Sequence, residues 1–271
     1  MAALYSLLQV KPSDAEAIAC GVDVPSMLNG PLFRTMFPTY STLSPEERDK
    51  IVQWYIDGLE DALSDPGDEF YLKVCRRRGD QGTGSVTGDE HLRPLGFCGW
   101  EVIDHGRTRA MQTAEKTVDD SARPGEQAQK QQQQQEEEEE ERQKDTEGQP
   151  LSTEVKAKKR RGNYLPETLD VDAWLTLSNK LRAERNRILQ GRGNVCRLTF
   201  MAVHPDFQRR GIGSMMLQSI CDESDRVPGR FAYVLAAPEG VRLYSSFGFE
   251  IVGKVETPHG NITSMLRPAP R

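Results

Sequence analysis

Residues 203–214, Val-His-Pro-Asp-Phe-Gln-Arg-Arg-Gly-Ile-Gly-Ser, set two arginines and two glycines between an apolar run and an amphipathic stretch. The apolar run, Arg197-Leu198-Thr199-Phe200-Met201-Ala202-Val203, has strand length and is nearly continuous, which predicts a central strand covered on both faces. Ser214 to Asp222 predicts a helix with Met215, Leu217, Ile220 and Cys221 available for packing. A helix that begins just after a glycine-bearing turn points free N–H groups and the positive end of its dipole at whatever enters that turn. Gly211 and Gly213 let a ligand approach the main chain closely, and Arg209 and Arg210 add positive charge nearby. The chemistry implied is the binding of clustered anionic oxygens, such as a pyrophosphate. Two other phosphate-binding patterns fail on these residues. GxGxxG would need glycine at Met216, and a P-loop would need Gly-Lys-Ser/Thr after four intervening residues.

The elements that must position this turn lie on both sides of a compositional island. Residues 107–163 run from Gln131–Gln135 into Glu136–Glu141, with many Lys, Asp and Ser and very few large apolar side chains. Such a segment buries too little surface to offset its ordering entropy, so the expectation is a disordered insertion, with a transient helix through the Gln/Glu tract. The blocks before and after it each lack a complete alternation of strands and helices. Residues 1–271 are therefore read as a single domain carrying that insertion. Before the island the pattern predicts a strand at Leu4–Val10, a helix near Asp14–Cys20 and a loop rich in Gly, Pro and aromatics. A helix then starts at the capping box Ser44-Pro45-Glu46-Glu47 with Ile51, Tyr55 and Leu59 on one face. Strands at Phe70–Arg77 and Leu95–Ile103 form an expected antiparallel pair. After the island, Asp170–Gln190 predicts an amphipathic helix with Trp174, Leu177, Leu181 and Ile188 inward and Gly191 at its end.

Composition narrows the function classes. The chain has 271 residues, 37% hydrophobic, with 35 Lys+Arg against 41 Asp+Glu for a formal net charge of −6. That acidity argues against nucleic acid as the main partner, because phosphate-backbone affinity grows with each basic side chain that displaces a counterion. No window approaches the roughly 20 apolar residues of a membrane span, so no membrane partner is expected. Cys20, Cys75, Cys98, Cys196 and Cys221 are odd in number and form no CxxC pair, so neither a disulfide framework nor a metal site is expected. The expected compartment is cytoplasmic, and Lys156–Arg161 is a candidate nuclear import run as well as an ordinary solvated cluster.

The string Val203-x-x-x-x-Gln208-x-x-Gly211-x-Gly213 resembles the acyl-CoA-binding motif of the GNAT superfamily of N-acetyltransferases. A second match follows about thirty residues on. Phe231–Ala236 reads as a strand, and Leu243-Tyr244-Ser245-Ser246-Phe247-Gly248-Phe249 resembles the family's closing LYxxxGF segment. Ala236-Ala237-Pro238-Glu239-Gly240 before it looks most like fungal members. The predicted order of strand, two helices, strands, helix, strand, helix, strand, helix and strand follows the same plan. The resemblance implies an α/β (α+β) fold: a mixed, mostly antiparallel central sheet with a splayed central strand pair, flanking helices and one insertion. It also implies acetyl-CoA as co-substrate. Met201, Ala202 and Val203 would hydrogen-bond the pantetheine arm as an added strand does, and Gln208, Arg209, Arg210, Gly211, Ile212, Gly213 and Ser214 would form the pyrophosphate loop. Tyr244 maps to the family tyrosine that serves as general acid to the departing thiolate, and a half-buried structural tyrosine is the alternative.

The reaction so implied is direct attack of an amine on the thioester carbonyl, which calls for loss of a proton from the acceptor. Several family members carry a Glu or His on the central strand. The matching positions here hold Arg197 and Thr199, neither a base at neutral pH. Glu101, Asp104 and Glu239 could act through water or be surface carboxylates, and His204 sits where the family has no catalytic residue. The family's specificity segment maps to Met27, Leu28, Phe33, Arg34, Met36, Phe37 and Tyr40, whose apolar and aromatic character favours a hydrophobic small-molecule amine or a peptide over a polyamine, or else simply packs the lid. Three functions stay open: acetylation of a small amine, acetylation of protein lysines or N-termini, and acyl-CoA binding without catalysis.

Overall fold

The computed structural model describes residues 4–76, 93–104 and 164–269, and of Asp104 only the backbone. Residues on the two sides of the island join in one compact unit. The expected insertion at 107–163 and the glycine-bearing loop before Leu95 lie outside the described residues.

Among the described residues seven strands form one sheet in the order β1-β2-β3-β4-β5-β7-β6. They are β1 (Tyr5–Gln9), β2 (Glu69–Arg76), β3 (Pro94–Asp104), β4 (Asn194–Val203), β5 (Phe231–Ala236), β6 (Glu250–Thr257) and β7 (Gly260–Arg267). The β1–β2, β2–β3, β5–β7 and β6–β7 pairs are antiparallel, and β4–β5 is parallel. The mixed, mostly antiparallel sheet is the expected fold class. At its C-terminal end the chain departs from the expectation of one strand, because 250–267 folds back on itself and β7 inserts between β5 and β6. The reversal at Pro258-His259-Gly260 lacks the Asn-Gly or Asp-Gly pair that marks a two-residue hairpin. It is held by the Thr257 hydroxyl, which donates to the Gly260 carbonyl and accepts from the His259 amide.

On the first block, α1 (Ala15–Ile18), a π-turn (Ala19–Asp23) and α2 (Val24–Met27) run on from one another, followed by α3 (Pro31–Met36). The stretch expected as a loop is thus largely helical. Pro31 stands in the first turn of α3, where a missing N–H costs nothing, and Pro25 follows the π-turn at the start of α2. Helix α4 (Pro45–Ser64) starts at the predicted capping box: the Ser44 hydroxyl accepts from the Glu47 amide at 3.3 Å and the Glu47 carboxylate from the Ser44 amide at 2.8 Å. Those bonds hold the Glu47 carboxyl below its ordinary range. Its inner face carries Ile51, Trp54, Ile56, Leu59 and Leu63, with Tyr55 only partly buried. Helix α5 (Val171–Leu189) is capped by Asp170, which accepts from the Ala173 amide, and ends before Gly191 at φ 77°. Leu177 and Ile188 are its buried residues, while Trp174 and Leu181 are half-buried.

Helices α6 (Ile212–Asp225) and α7 (Val241–Ser246) share a core cluster with β2–β5. Gly96 on β3 permits the close approach of α6, since a Cβ there would lie 2.7 Å from Ile212 Cγ2. Arg267 on β7 locks this side together. It donates from both terminal nitrogens to the Asp225 carboxylate, at 2.5 and 2.8 Å, and from Nε to the Phe247 carbonyl. The guanidinium hydrogen bonds lower the Asp225 pKa, so this contribution is present above the ordinary carboxylate range and is lost as pH falls through the lowered value.

Candidate active site

Strand β4 decides the site. Its parallel pairing with β5 covers Val195↔Phe231, Cys196↔Ala232 and Arg197↔Tyr233 and then stops, although β4 continues to Val203 and β5 to Ala236. The two strands splay beyond Arg197, and their facing main-chain groups no longer meet each other. Side-chain alternation on β4 also slips. Leu198 and Met201 both pack on the α6 cluster, whereas Phe200 and Ala202 join the cluster of α1 and α4. A regular strand puts residues three apart on opposite faces, so one extra residue, a bulge, lies between Leu198 and Met201.

A cavity of about 760 Å³ opens in the splay. Residues 198–203 line one side, with Val234, Leu235 and Ala237 opposite. One end is the turn before α6, where Gln208, Arg209, Gly211, Gly213 and Ser214 reach the lining. Gln208 fastens this turn to the strand end, its side-chain amide donating to the Val203 carbonyl at 3.2 Å. Arg209 at φ 62° and Gly211 at φ 87° are both left-handed, which turns the chain sharply into α6. A Cβ on Gly213 would come within 3.1 Å of Leu243 Cδ2, so its lack of a side chain lets α6 and α7 close on each other. The amides of Ile212, Gly213 and Ser214 form the first turn of a 14-residue helix, while Met215 already donates to the Gly211 carbonyl.

Most sequence-predicted residues converge here: Met201, Ala202 and Val203, five of the seven turn residues, and Tyr244 all line the one cavity. Arg210 and Ile212 do not. The Arg210 guanidinium lies over the Phe207 ring at 5.1 Å, and the Ile212 side chain is buried in the core. Tyr244 packs its ring on bare Gly240 and edge-on to Phe249. Burial, and secondarily the Cys98 thiol, push its hydroxyl well above the ordinary tyrosine range, and Cys98 itself is pushed up to about 12 by burial.

The base candidates separate. Glu101 accepts a 2.5 Å hydrogen bond from Arg197 Nε and is absent from the lining, so its carboxylate is engaged on β3 and β4. Glu239 lines the mouth and is exposed. The Asp104 side chain lies outside the described residues. His204 caps the turn through Nδ1, which accepts from the Asp206 amide, and packs edge-on to Phe207, a structural position. In the specificity segment, Phe33, Met36 and Phe37 are buried with Ile51 and Trp54, and Arg34 is exposed. Only Met27 and Phe33 of that set reach the cavity, so most of it packs the lid. Sequence reasoning missed Pro31, Leu181 and Ile262, which complete the wall from distant parts of the chain.

Residues 181–251 match the family model described as the acetyltransferase (GNAT) domain, a stretch that spans the turn before α6 and the Tyr244 helix. No curated protein matches the chain in sequence. Solved structures to which it is similar include a histone acetyltransferase HPA2 and related acetyltransferase from Corynebacterium glutamicum, at 12% identity over 99% of this chain and 98% of that one, TM-score 0.48. Another is the polyamine N-acetyltransferase of Drosophila melanogaster, at 8% identity over 97% and 99%, TM-score 0.47. NAA60 of Arabidopsis thaliana in complex with acetyl-CoA is similar at 13% identity over 97% of each chain, TM-score 0.41. The splayed β4–β5 pair, the bulge and the glycine turn all lie within residues 181–251, the stretch that matches the acetyltransferase (GNAT) domain.

Proposed function

We infer that the protein transfers the acetyl group of acetyl-CoA to a primary amine carried on a small apolar molecule. The observation that carries this reading is the continuity of one cavity from the glycine turn, along the unpaired edge of β4, to Tyr244. Its parts suit the co-substrate. The free amides at the start of α6 and the Arg209 side face the diphosphate. Residues 201–203 offer main-chain groups to the pantetheine amides.

Acetyl-CoA supplies the activated acyl group, and the chain's residues do the rest. The amine nitrogen attacks the carbonyl carbon, the C–N bond forms and the C–S bond breaks. Tyr244, held neutral by burial, donates a hydrogen bond to the departing sulfur. The thiolate is a weaker base than a buried phenolate would be, so Tyr244 stabilises it without giving up the proton, which the thiolate then takes from solvent. The nitrogen loses its surplus proton to water at the mouth, where Glu239 stands. With Glu101 paired to Arg197, the acceptor enters as the neutral amine. Met27, Pro31, Phe33, Leu181 and Ile262 give the far wall an apolar surface suited to an aliphatic or aromatic body.

The test is turnover of labelled acetyl-CoA across arylamines, arylalkylamines, polyamines and peptides with free lysine or N-terminal amines. Turnover of the apolar amines supports the reading. Turnover of peptides alone replaces it with protein acetylation, and tight acetyl-CoA binding without turnover replaces it with a non-catalytic module.

The 107–163 segment is proposed as an accessory insertion to this domain. Replacing it with a short Gly/Ser linker is expected to leave the melting temperature within about 3 °C of the full chain and to preserve acetyl-CoA binding. A larger fall measured by calorimetry would assign it a structural role.

A further inference from the structure

Thr199 occupies a singular place on β4. It lies two residues past the last β4–β5 pair and two before Met201, within the span where the bulge is inserted. Its hydroxyl oxygen is buried and has no hydrogen-bond partner among the described residues, yet the residue lines the cavity. The strand beside it leaves room. A Cβ on Gly99 of β3 would lie 2.9 Å from the Thr199 hydroxyl and 2.9 Å from the Tyr71 ring, so only glycine there keeps the hydroxyl in place without a clash. A buried hydroxyl without a partner costs free energy that a valine of the same shape would avoid.

Distance along the strand says what meets this hydroxyl. The glycine turn takes the diphosphate end of the coenzyme and residues 201–203 run beside its arm, so the lining positions further up the strand are Phe200 and Thr199, and Thr199, the polar one of the two, falls beside the reacting carbonyl. We propose that the Thr199 hydroxyl is the positioning group for the acceptor, accepting a hydrogen bond from one N–H of the incoming primary amine so that the nitrogen lone pair faces the thioester carbon. The inference rests on the acetyl-transfer reading above. The threonine removes no proton: it orients a nitrogen that is already neutral, and the surplus proton still leaves to water after the C–N bond forms. It also defines the acceptor class, since a nucleophile must keep one N–H for the hydroxyl and spend its lone pair on carbon.

The experiment compares Thr199→Val and Thr199→Ser with the wild type in the full chain. Readouts are kcat and KM for the best acceptor of the amine and peptide panel, acetyl-CoA affinity by calorimetry, and melting temperature. Thr199→Val is expected to lower kcat/KM for the amine about tenfold, the loss of one well-placed hydrogen bond. Acetyl-CoA affinity stays unchanged, and the melting temperature stays level or rises as the orphaned hydroxyl is removed. Thr199→Ser, which keeps the oxygen, recovers the amine parameters to within roughly twofold. A merely structural role would lower melting temperature and coenzyme affinity together and would not follow the oxygen. Wild-type kcat/KM in Thr199→Val, or a serine variant as poor as the valine one, overturns the proposal while leaving acetyl transfer standing. Absence of acetyl-CoA binding, or of turnover with every amine, in the wild type overturns the transfer reading first and this inference with it.

Discussion

Gly211→Glu is expected to weaken acetyl-CoA binding at least ~100-fold, with the fold retained. Two costs combine. At φ 87° an L-residue adopts the left-handed region at about 1–2 kcal/mol. The new carboxylate then stands at the mouth of the first turn of α6, the proposed diphosphate site. At about 6 Å and an effective dielectric of about 20, each like-charge pair is worth roughly 3 kcal/mol. Gly211→Ala separates the two. A Cβ at Gly211 meets nothing within 4 Å, so alanine carries only the backbone cost and is expected to leave the affinity within a few-fold of wild type. Titration calorimetry on both variants decides: equal affinities for glutamate and glycine would move the coenzyme away from this turn.

Tyr244→Phe is expected to lower kcat about 10- to 100-fold, the range for one hydrogen bond to a developing charge, with acetyl-CoA affinity little changed. Phenylalanine keeps the ring contacts with Gly240 and Phe249, so the core is preserved. The pH profile gives a second check. Burial raises the Tyr244 pKa, so the donor stays protonated through neutral and mildly alkaline pH and is lost only above the ordinary tyrosine range. Wild-type kcat should therefore show no falling limb between pH 7 and about 10 from this group. A wild-type rate in Tyr244→Phe would leave the tyrosine as packing alone.

Local pattern made part of this site legible. The β4 run, the glycine turn and the helix after it are contiguous, and strand, turn and helix N-terminus each leave a mark on neighbouring residues. The capping box at Ser44 and Glu47 was readable for the same reason. What was not readable is long-range. Arg197 and Glu101 are 96 positions apart, and their pairing appears only when β3 and β4 are side by side. The far wall draws Met27 and Phe33 from the N-terminal helices, Leu181 from α5 and Ile262 from β7, and nothing in any one of these segments announces the others. The aromatic stretch between residues 27 and 40 misled because a lid core and a substrate pocket ask for the same residue types. Met36 and Phe37 went to the former, and Phe33 serves both. Arg210 misled through its charge, which the Phe207 ring takes up.

The three-residue seam between β4 and β5 has a consequence for the lifetime of the molecule. A sheet zipped so briefly at its centre is unfinished until something lies in the gap, and a ligand that completes it adds about 2.7 kcal/mol of resistance to unfolding at a hundred times its dissociation constant. A molecule without its acyl donor is then expected to be the first to yield to a protease.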